Sequence, residues 1–404
     1  MKKSPPVADW ATDYDILDPD YAKDPLPVWR DLRARCPIAH SDRWGGSWMP
    51  TRYEDMQAFV KMVPALSSKE PIVVPPVKAF DPELDQHGTD APPITSDPPE
   101  QIPIRRLILP FFTPKAVAEH RPFTEALCAR LIDGFIDQGS CDAAVQYAQE
   151  IPSRVIGHML GIDPARNDEF VGWVRNVLEF GLSDPEIRVK YRRVIRGFFA
   201  DMVAERRANP GDDLISQLLA KKLGGEPVTD GMVIGMCNLL LVAGIDTTWS
   251  SIGAALWHFS CHPGDRRRLA GEPELFPSAI EEMLRFYSPV TMARVATEEI
   301  QAGNVTFKPG DRVLMNFPAA NHDPEIFDRP DEVILDRERN RHIAFGVGIH
   351  RCAGSNLARM EMDVALRAWF ARIPEFELAD PDAVTWAGGQ VRGPRNLPVR
   401  FKAG

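Results

Sequence analysis

The chain has 404 residues, 44% hydrophobic and 26% charged, the composition of an ordinary soluble globular protein, and its length alone suggests two or three domains. A net charge of −10 argues against a nucleic-acid binder. Six scattered cysteines without a C-x-x-C pair exclude a zinc ribbon and suit a reducing cytoplasm.

The first residues, Met1-Lys2-Lys3-Ser4-Pro5-Pro6, lead into polar, acidic sequence rather than an apolar signal core, so no membrane anchor is expected. Residues 1–23 read as an extended arm. A helix is expected from about Leu26 to Arg35, with Leu26, Trp29 and Leu32 on one face and Pro37 beyond its end. Ser47 to Thr51 reads as a strand and Tyr53 to Met62 as a short helix. From Pro71 to Pro99 the chain is proline-rich without a period, the mark of a functional or mobile loop. A helix should then begin near Pro98-Pro99-Glu100 and carry Gln101, Arg105 and Arg106, with Pro103 tolerable only in its first turn. Between Ala116 and Leu219 the pattern is helical, broken at Gly139-Ser140, at Gly161 to Pro164 and at Gly181 to Pro185.

Thr229 is placed to cap a long helix from about Asp230 to Phe259. Its first half, Met232 to Ala243, is apolar almost all round. Asn238 and Asp246 interrupt the run, which is short for a bilayer, so a buried central helix is expected rather than a membrane span. The hexamer Ala243-Gly244-Ile245-Asp246-Thr247-Thr248 lies within it. A buried aspartate is costly unless it is hydrogen-bonded or functional, and Thr247 can bond back to the carbonyl of Ala243. Ser278-Ala279-Ile280-Glu281 reads as a capping box opening a helix that holds Glu282 and Arg285 on one face. Ser288 to Arg294, including Val290, continues as an extended segment. Short strands are expected at Val305–Phe307 and Arg312–Met315, and a hairpin tip at Gly388 to Gly393.

The densest signal is Phe345-Gly346-Val347-Gly348-Ile349-His350-Arg351-Cys352-Ala353-Gly354, followed by helical sequence from Ser355. Gly346, Gly348 and Gly354 permit positive φ, which favours a compact loop. A cysteine at the end of such a loop and before a helix meets free backbone N–H groups and the helix dipole, both of which favour a thiolate. Taken alone, Cys352 is a nucleophile, a metal ligand or a buried structural thiol.

Phe345, Gly348, Cys352 and Gly354, in F-x-x-G-x-x-x-C-x-G spacing, resemble the haem-thiolate signature of the cytochrome P-450 superfamily, and Gly346 and His350 match its soluble bacterial form. The resemblance runs from about Leu26 to Phe401 with its motifs in order. It implies haem b (iron protoporphyrin IX) with Cys352 as the axial metal ligand, Phe345 beside the sulfur, and Gly354 within the binding loop. Gln101, Arg105, Arg294 and His350 would hold the haem propionates. Gly244 would leave room beside the iron, and Asp246 with Thr247 would form the acid–alcohol pair that delivers protons. Leu239, Val242, Ala243 and Val290 would line the substrate pocket. Glu282 and Arg285, with Arg337 as a third member, would hold the proximal fold.

The same resemblance implies a mainly α single-domain cytochrome P-450 fold with small peripheral β-sheets, in place of two or three domains. Residues 1–25 would be an N-terminal arm and 26–404 the haem domain. The helix ending near Phe180 and the basic helix that follows it would cover the substrate channel. The expected activity is monooxygenation with dioxygen of a small to mid-sized hydrophobic substrate, by hydroxylation or oxidative dealkylation. No dinucleotide fingerprint is present, so electrons are expected from a ferredoxin and its NAD(P)H-dependent ferredoxin reductase. A cytoplasmic monomer is expected. The alternatives are a peroxide-driven peroxygenase, or an isomerase or dehydratase, on the same fold, and a non-catalytic haem-binding sensor.

Overall fold

The computed structural model describes residues 5–74 and 91–403, so residues 75–90 of the proline-rich stretch lie outside the described residues. The helix Asp230–Cys261 is the axis of the fold, and the Thr229 hydroxyl accepts the Met232 N–H at 3.3 Å to start it. Leu241, Ile245, Trp249, Ile252 and Leu256 are completely buried along it. It packs against the helices Glu150–Leu160, Asn167–Arg175, Pro185–Ala208 and Ser355–Arg372. Its apolar length would span a bilayer, but 56% of its most apolar window is buried inside the protein, which is the position of a core helix.

The surrounding helices join at buried polar points. The Tyr147 hydroxyl donates to the Ala365 carbonyl at 2.7 Å, beside Trp369 and Phe135. Asp184 ends the turn after Phe180 and caps the helix Pro185–Ala208 by accepting the Glu186 and Ile187 N–H groups. The expected helices are found at Leu26–Arg35, Tyr53–Phe59 and Gln101–Ile108, with Pro103 in the first turn of the last.

Five short strands form the main sheet in the order Ile38–Ser41, Ser47–Pro50, Arg312–Met315, Met292–Ala296 and Leu66–Ser67. The contact of Arg312–Met315 with Ser47–Pro50 is parallel, while its register with Met292–Ala296 is antiparallel and sets Arg312 opposite Val295. The expected hairpin closes between Thr385–Ala387 and Gly393–Asn396.

Three local expectations change. The break at Gly139-Ser140 is not a plain helix interruption: Ser140–Asp142 is a strand pairing with Pro398–Phe401. The first 23 residues are not simply extended, since Asp18 caps a helix at Pro19–Lys23. Tyr14 reaches Ser47 at 2.6 Å, and Arg392 donates to the Ala22 and Lys23 carbonyls, so this segment is fastened to the sheet and the hairpin. No capping box forms at Ser278. The helix begins at Phe276 with Pro277 in its first turn, Ser278 donates to the Leu275 carbonyl at 3.0 Å, and Glu281 is engaged elsewhere.

Candidate functional site: the cysteine loop and the central helix

The loop before Cys352 is compact because Gly346 and Gly348 take left-handed φ values of 64° and 73°. Gly354 does not: its φ is −82°. The Cys352 N–H closes the loop on the Phe345 carbonyl at 2.8 Å, and the Gly354 N–H donates to the Cys352 sulfur. Three neighbours brace the loop from outside. Gln101 Nε2 donates to the Ile349 carbonyl at 2.8 Å, Arg105 Nη2 donates to the Arg351 carbonyl, and the Arg359 guanidinium lies 4.5 Å from the Phe345 ring centre.

Burial pushes the Cys352 thiol up, against the Gly354 N–H and the charges of Arg105, Arg351 and Arg359. The side chain nevertheless remains accessible on one side. A buried thiol with one open face and three cations around it becomes a thiolate when a metal takes the proton's place.

The propionate-binding candidates converge. Arg294 is buried; among the described residues its Nη1 donates only to the adjacent Ala293 carbonyl at 2.7 Å, and its Nε has no partner. Burial brings it down to about 10, with Asp97 pulling the other way. Asp97 itself accepts from the Ser67 hydroxyl at 2.5 Å and the Ser68 N–H at 2.8 Å. His350 shares a 2.8 Å hydrogen bond with the Ser68 hydroxyl and is brought to about 3, first by burial and then by Arg294, so it is neutral at physiological pH.

Arg294 and Arg105 act on His350 together with the single carboxylate of Asp97. The cluster is therefore short of anions, and an orphaned buried guanidinium N–H is the donor a haem propionate would satisfy. The residues fit haem. Gln101 engages one of its two amide N–H donors with Ile349, and its buried Oε1 has no partner among the described residues, so only the second N–H is left for a propionate. Its first N–H braces the cysteine loop. Ser68 and Asp97 belong to this cluster, and the sequence reading gave neither a part in it.

On the central helix, Leu239, Val242, Ala243 and Thr247 stay partly accessible, with Ala243 exposed, although most residues around them are buried. They fall at i, i+3, i+4 and i+8, so one apolar stripe faces space that other side chains do not fill. Val290 is also incompletely buried and bridges to Val391 of the hairpin. Gly244 points elsewhere. A Cβ there would come 2.7 Å from Ile156 Cδ1, so this glycine permits close packing with Glu150–Leu160 rather than leaving room beside the iron.

The Thr247 hydroxyl donates to the Ala243 carbonyl at 2.7 Å, as its position in the helix suggested. Its proton is thereby occupied, and the oxygen faces outward as an acceptor. Asp246 does not pair with it. The Asp246 carboxylate is buried and accepts from Arg395 Nη2 at 2.7 Å and from Ser250 at 3.4 Å. Arg395 also donates to Glu179 at 3.0 Å, and Glu179 is paired with Arg175. Burial raises the Asp246 carboxyl and Arg395 opposes it. Arg395 is the partner of Asp246 that the sequence reading missed. The signal was the buried aspartate's need for a cation, but nothing local says which of many arginines supplies it.

Glu282 and Arg285 form a fully buried bidentate pair, both contacts at 2.8 Å. Arg337 adds a third contact to Glu282 at 2.9 Å, and Arg285 also reaches the carbonyls of Asn321, Pro330 and Glu332. Nearby, Glu281 binds Arg359 through both oxygens at 2.6 and 2.8 Å and His342 at 2.9 Å. Arg359 is thus neutralised, while Arg351 and Arg106 stay exposed beside the loop.

A mainly helical fold that presents an accessible cysteine from a glycine loop, with a buried guanidinium lacking a carboxylate among the described residues on one side and an apolar stripe of a central helix, fits a haem-thiolate protein. Residues 182–378 match the Cytochrome P450 family model. The chain is 33% identical to cytochrome P450 107B1 of Saccharopolyspora erythraea over 88% of this chain and 89% of that one. It is 33% identical to vitamin D(3) 25-hydroxylase of Pseudonocardia autotrophica over 96% of each. The structure of the Bacillus subtilis bacillaene polyketide synthase cytochrome P450 PksS superposes with a TM-score of 0.86 at 29% identity, covering 96% of this chain and all of that one. The chain belongs to the cytochrome P450 family, and it is a monooxygenase that uses haem b.

Proposed function

We propose that this enzyme inserts one atom of dioxygen into a small to mid-sized hydrophobic substrate, by hydroxylation or oxidative dealkylation, using electrons from a ferredoxin and its NAD(P)H-dependent reductase. The accessible stripe of Leu239, Val242 and Ala243, ending at Thr247 on an otherwise buried helix, carries this reading. It offers apolar surface for a substrate body and a hydroxyl at its end. Haem held by a thiolate supplies the chemistry of O–O cleavage.

The chain does the rest. Cys352 would hold the haem iron through its sulfur, which the Gly354 N–H orients. Arg294, Arg105 and neutral His350 would hold the propionates. Val290 and the hairpin behind it close the pocket against water. Thr247 Oγ1, with its own proton on Ala243, accepts and orients the proton of an incoming water. Asp246, held by Arg395, is the carboxylate behind it, joined through water rather than by direct contact. Arg351 and Arg106 offer an acidic ferredoxin a small basic patch on an acidic protein, with Arg359 withdrawn by Glu281. The enzyme works as a monomer in the cytoplasm.

The test has two arms. The reduced holoenzyme under carbon monoxide should show the red-shifted thiolate band, and Cys352→His should abolish it. A screen of small hydrophobic compounds, read from the haem spectrum, should yield ligands that turn over with a surrogate ferredoxin and reductase. A Cys352→His spectrum identical to wild type refutes the ligand. Turnover only with added peroxide refutes the electron source.

A further inference from the structure

Two buried arginines use the same pair of nitrogens differently. Arg285 sets Nε and Nη2 on the two oxygens of one carboxylate, Glu282, at 2.8 Å each. Arg395 divides that pair between two carboxylates: Nε donates to Glu179 Oε2 at 3.0 Å and Nη2 to Asp246 Oδ1 at 2.7 Å. Its Nη1 donates to the Ser250 hydroxyl at 3.1 Å. Asp246 thus receives one N–H from its cation where Glu282 receives two, and two-pronged contact is the stronger form. Both hydrogen bonds to Asp246, from Arg395 and from Ser250 at 3.4 Å, fall on Oδ1. Among the described residues none falls on Oδ2, so that oxygen is open to a proton.

What divides the guanidinium is the place of Glu179. It lies in a π-helical turn, Asn176–Phe180, that follows the helix Asn167–Arg175. Such turns appear inside α-helices frequently at functional sites. Gly181 lets this one close, since a Cβ there would come 2.5 Å from the Asn176 carbonyl oxygen. Arg175, one turn back and with its side chain 33% exposed, holds Glu179 through Nε and Nη2 at 3.1 Å each. Burial works against the Glu179 charge, but Arg175 and Arg395 outweigh it and keep the carboxylate ionised. A line of alternating charge therefore runs inward from Arg175 through Glu179 and Arg395 to Asp246.

The members of this line act on Asp246 in opposite directions. Burial pushes its carboxyl up, Arg395 pulls it down, Glu179 pushes it up, and the Ser250 bond and Arg175 pull it down. Two carboxylates on one guanidinium compete for it. The Asp246 side chain is 1% exposed and that of Glu179 18%, so Asp246 is the one at which a proton most readily replaces the cation.

We propose that Glu179 is a positioning residue for the proton relay: by taking Arg395 Nε, it keeps the guanidinium from closing on both oxygens of Asp246 and leaves Oδ2 free to take and release a proton. This rests on the reading of Asp246 as the relay carboxylate given above.

The experiment follows the infrared carbonyl band of protonated Asp246 against pH in the haem-loaded enzyme, identified by its absence in Asp246→Asn. In wild type the band should grow as pH falls through a midpoint. Glu179→Gln should move that midpoint to lower pH, because the competing carboxylate is gone, and Glu179→Ala at least as far, because Nε is also released. Arg175→Gln should move it to higher pH, since Glu179 then leans on Arg395 alone. A purely structural role would change stability without shifting the midpoint in opposite directions. If both Glu179 variants fail to accumulate, Arg175→Gln decides by its direction. Unmoved midpoints, or shifts of the wrong sign, overturn the proposal, as does a wild-type band that never titrates. The relay reading has its own measure, oxygen consumption by Asp246→Asn. Slowed consumption with unmoved midpoints fails Glu179 alone. Unchanged consumption fails the relay, and the positioning role with it.

Discussion

Arg395 Nη2 donates to Asp246 Oδ1 at 2.7 Å, joining the C-terminal hairpin to the middle of the central helix. The same guanidinium holds Glu179 just before the turn that leads into the helix Pro185–Ala208, and it lies 4.3 Å from the Trp249 ring centre. One side chain thus ties together three segments far apart in sequence. It also opposes the upward push that burial gives the Asp246 carboxyl.

Arg395→Gln should destabilise the protein by about 3–5 kcal/mol, because it leaves a buried carboxylate without its cation. Adding Asp246→Asn should recover part of that loss, since the uncompensated charge is then gone. Urea unfolding of the two single variants and the double variant measures the coupling. Strictly additive losses would show that the pair contributes nothing as a pair. Asp246→Asn alone should slow oxygen consumption while the haem spectrum stays normal.

Thr247→Ala should fold, bind haem and consume oxygen, but divert much of the reducing power to hydrogen peroxide. The hydroxyl's intramolecular bond to Ala243 is worth only about 0.5–1.5 kcal/mol, so stability should change little. What is lost is the acceptor that orients the water proton. Product formed and peroxide released per NAD(P)H report this directly. Full coupling in the variant would reduce the hydroxyl to a local helix feature.

Glu282→Ala should prevent accumulation of holoenzyme. It strands Arg285 and Arg337 together without their carboxylate, in a place where Arg285 is completely buried. The expected loss of about 3–5 kcal/mol is a large part of the stability of a typical domain. Soluble yield and haem content of the expressed variant check it, and wild-type yield would be incompatible with the buried geometry.

Glu281 gives a pH signature. Burial works against its charge, but hydrogen bonds from Arg359 and His342 outweigh it and bring the carboxyl from 4.5 to about 2. A depressed carboxylate contributes stability that is fully present above its unfolded value and fades as pH falls toward the folded one. Wild type should therefore lose stability between about pH 4.5 and pH 2 more steeply than Glu281→Gln. Urea midpoints across that range should converge at the acid end. Parallel curves would show that Glu281 has no such role.

Much of the site was legible because it is local. The F-x-x-G-x-x-x-C-x-G spacing is read within ten residues, and the left-handed turns at Gly346 and Gly348 are a property of glycine itself. The central helix announced itself by composition and by the Thr229 cap, and the Thr247 back-bond by the four-residue repeat of the helix. Glu282 and Arg285 stood three apart and met, though the sequence could not say that they are completely buried.

What the tertiary structure decided is which distant groups share a buried charge. Asp246 needed a cation, and only the fold brings Arg395 across 149 positions to meet it. Gly244 was read toward the iron, but the direction of its absent side chain depends on how Glu150–Leu160 crosses the helix, and that crossing sets it against Ile156. Gln101 was read toward a propionate, and the loop geometry turned one of its two N–H groups onto Ile349. Composition, period and capping follow from covalent chemistry and neighbours along the chain, so the sequence states them outright. Partner choice in a desolvated interior depends on the packing of segments far apart in sequence, and a polar group's role there is set by what that packing leaves beside it.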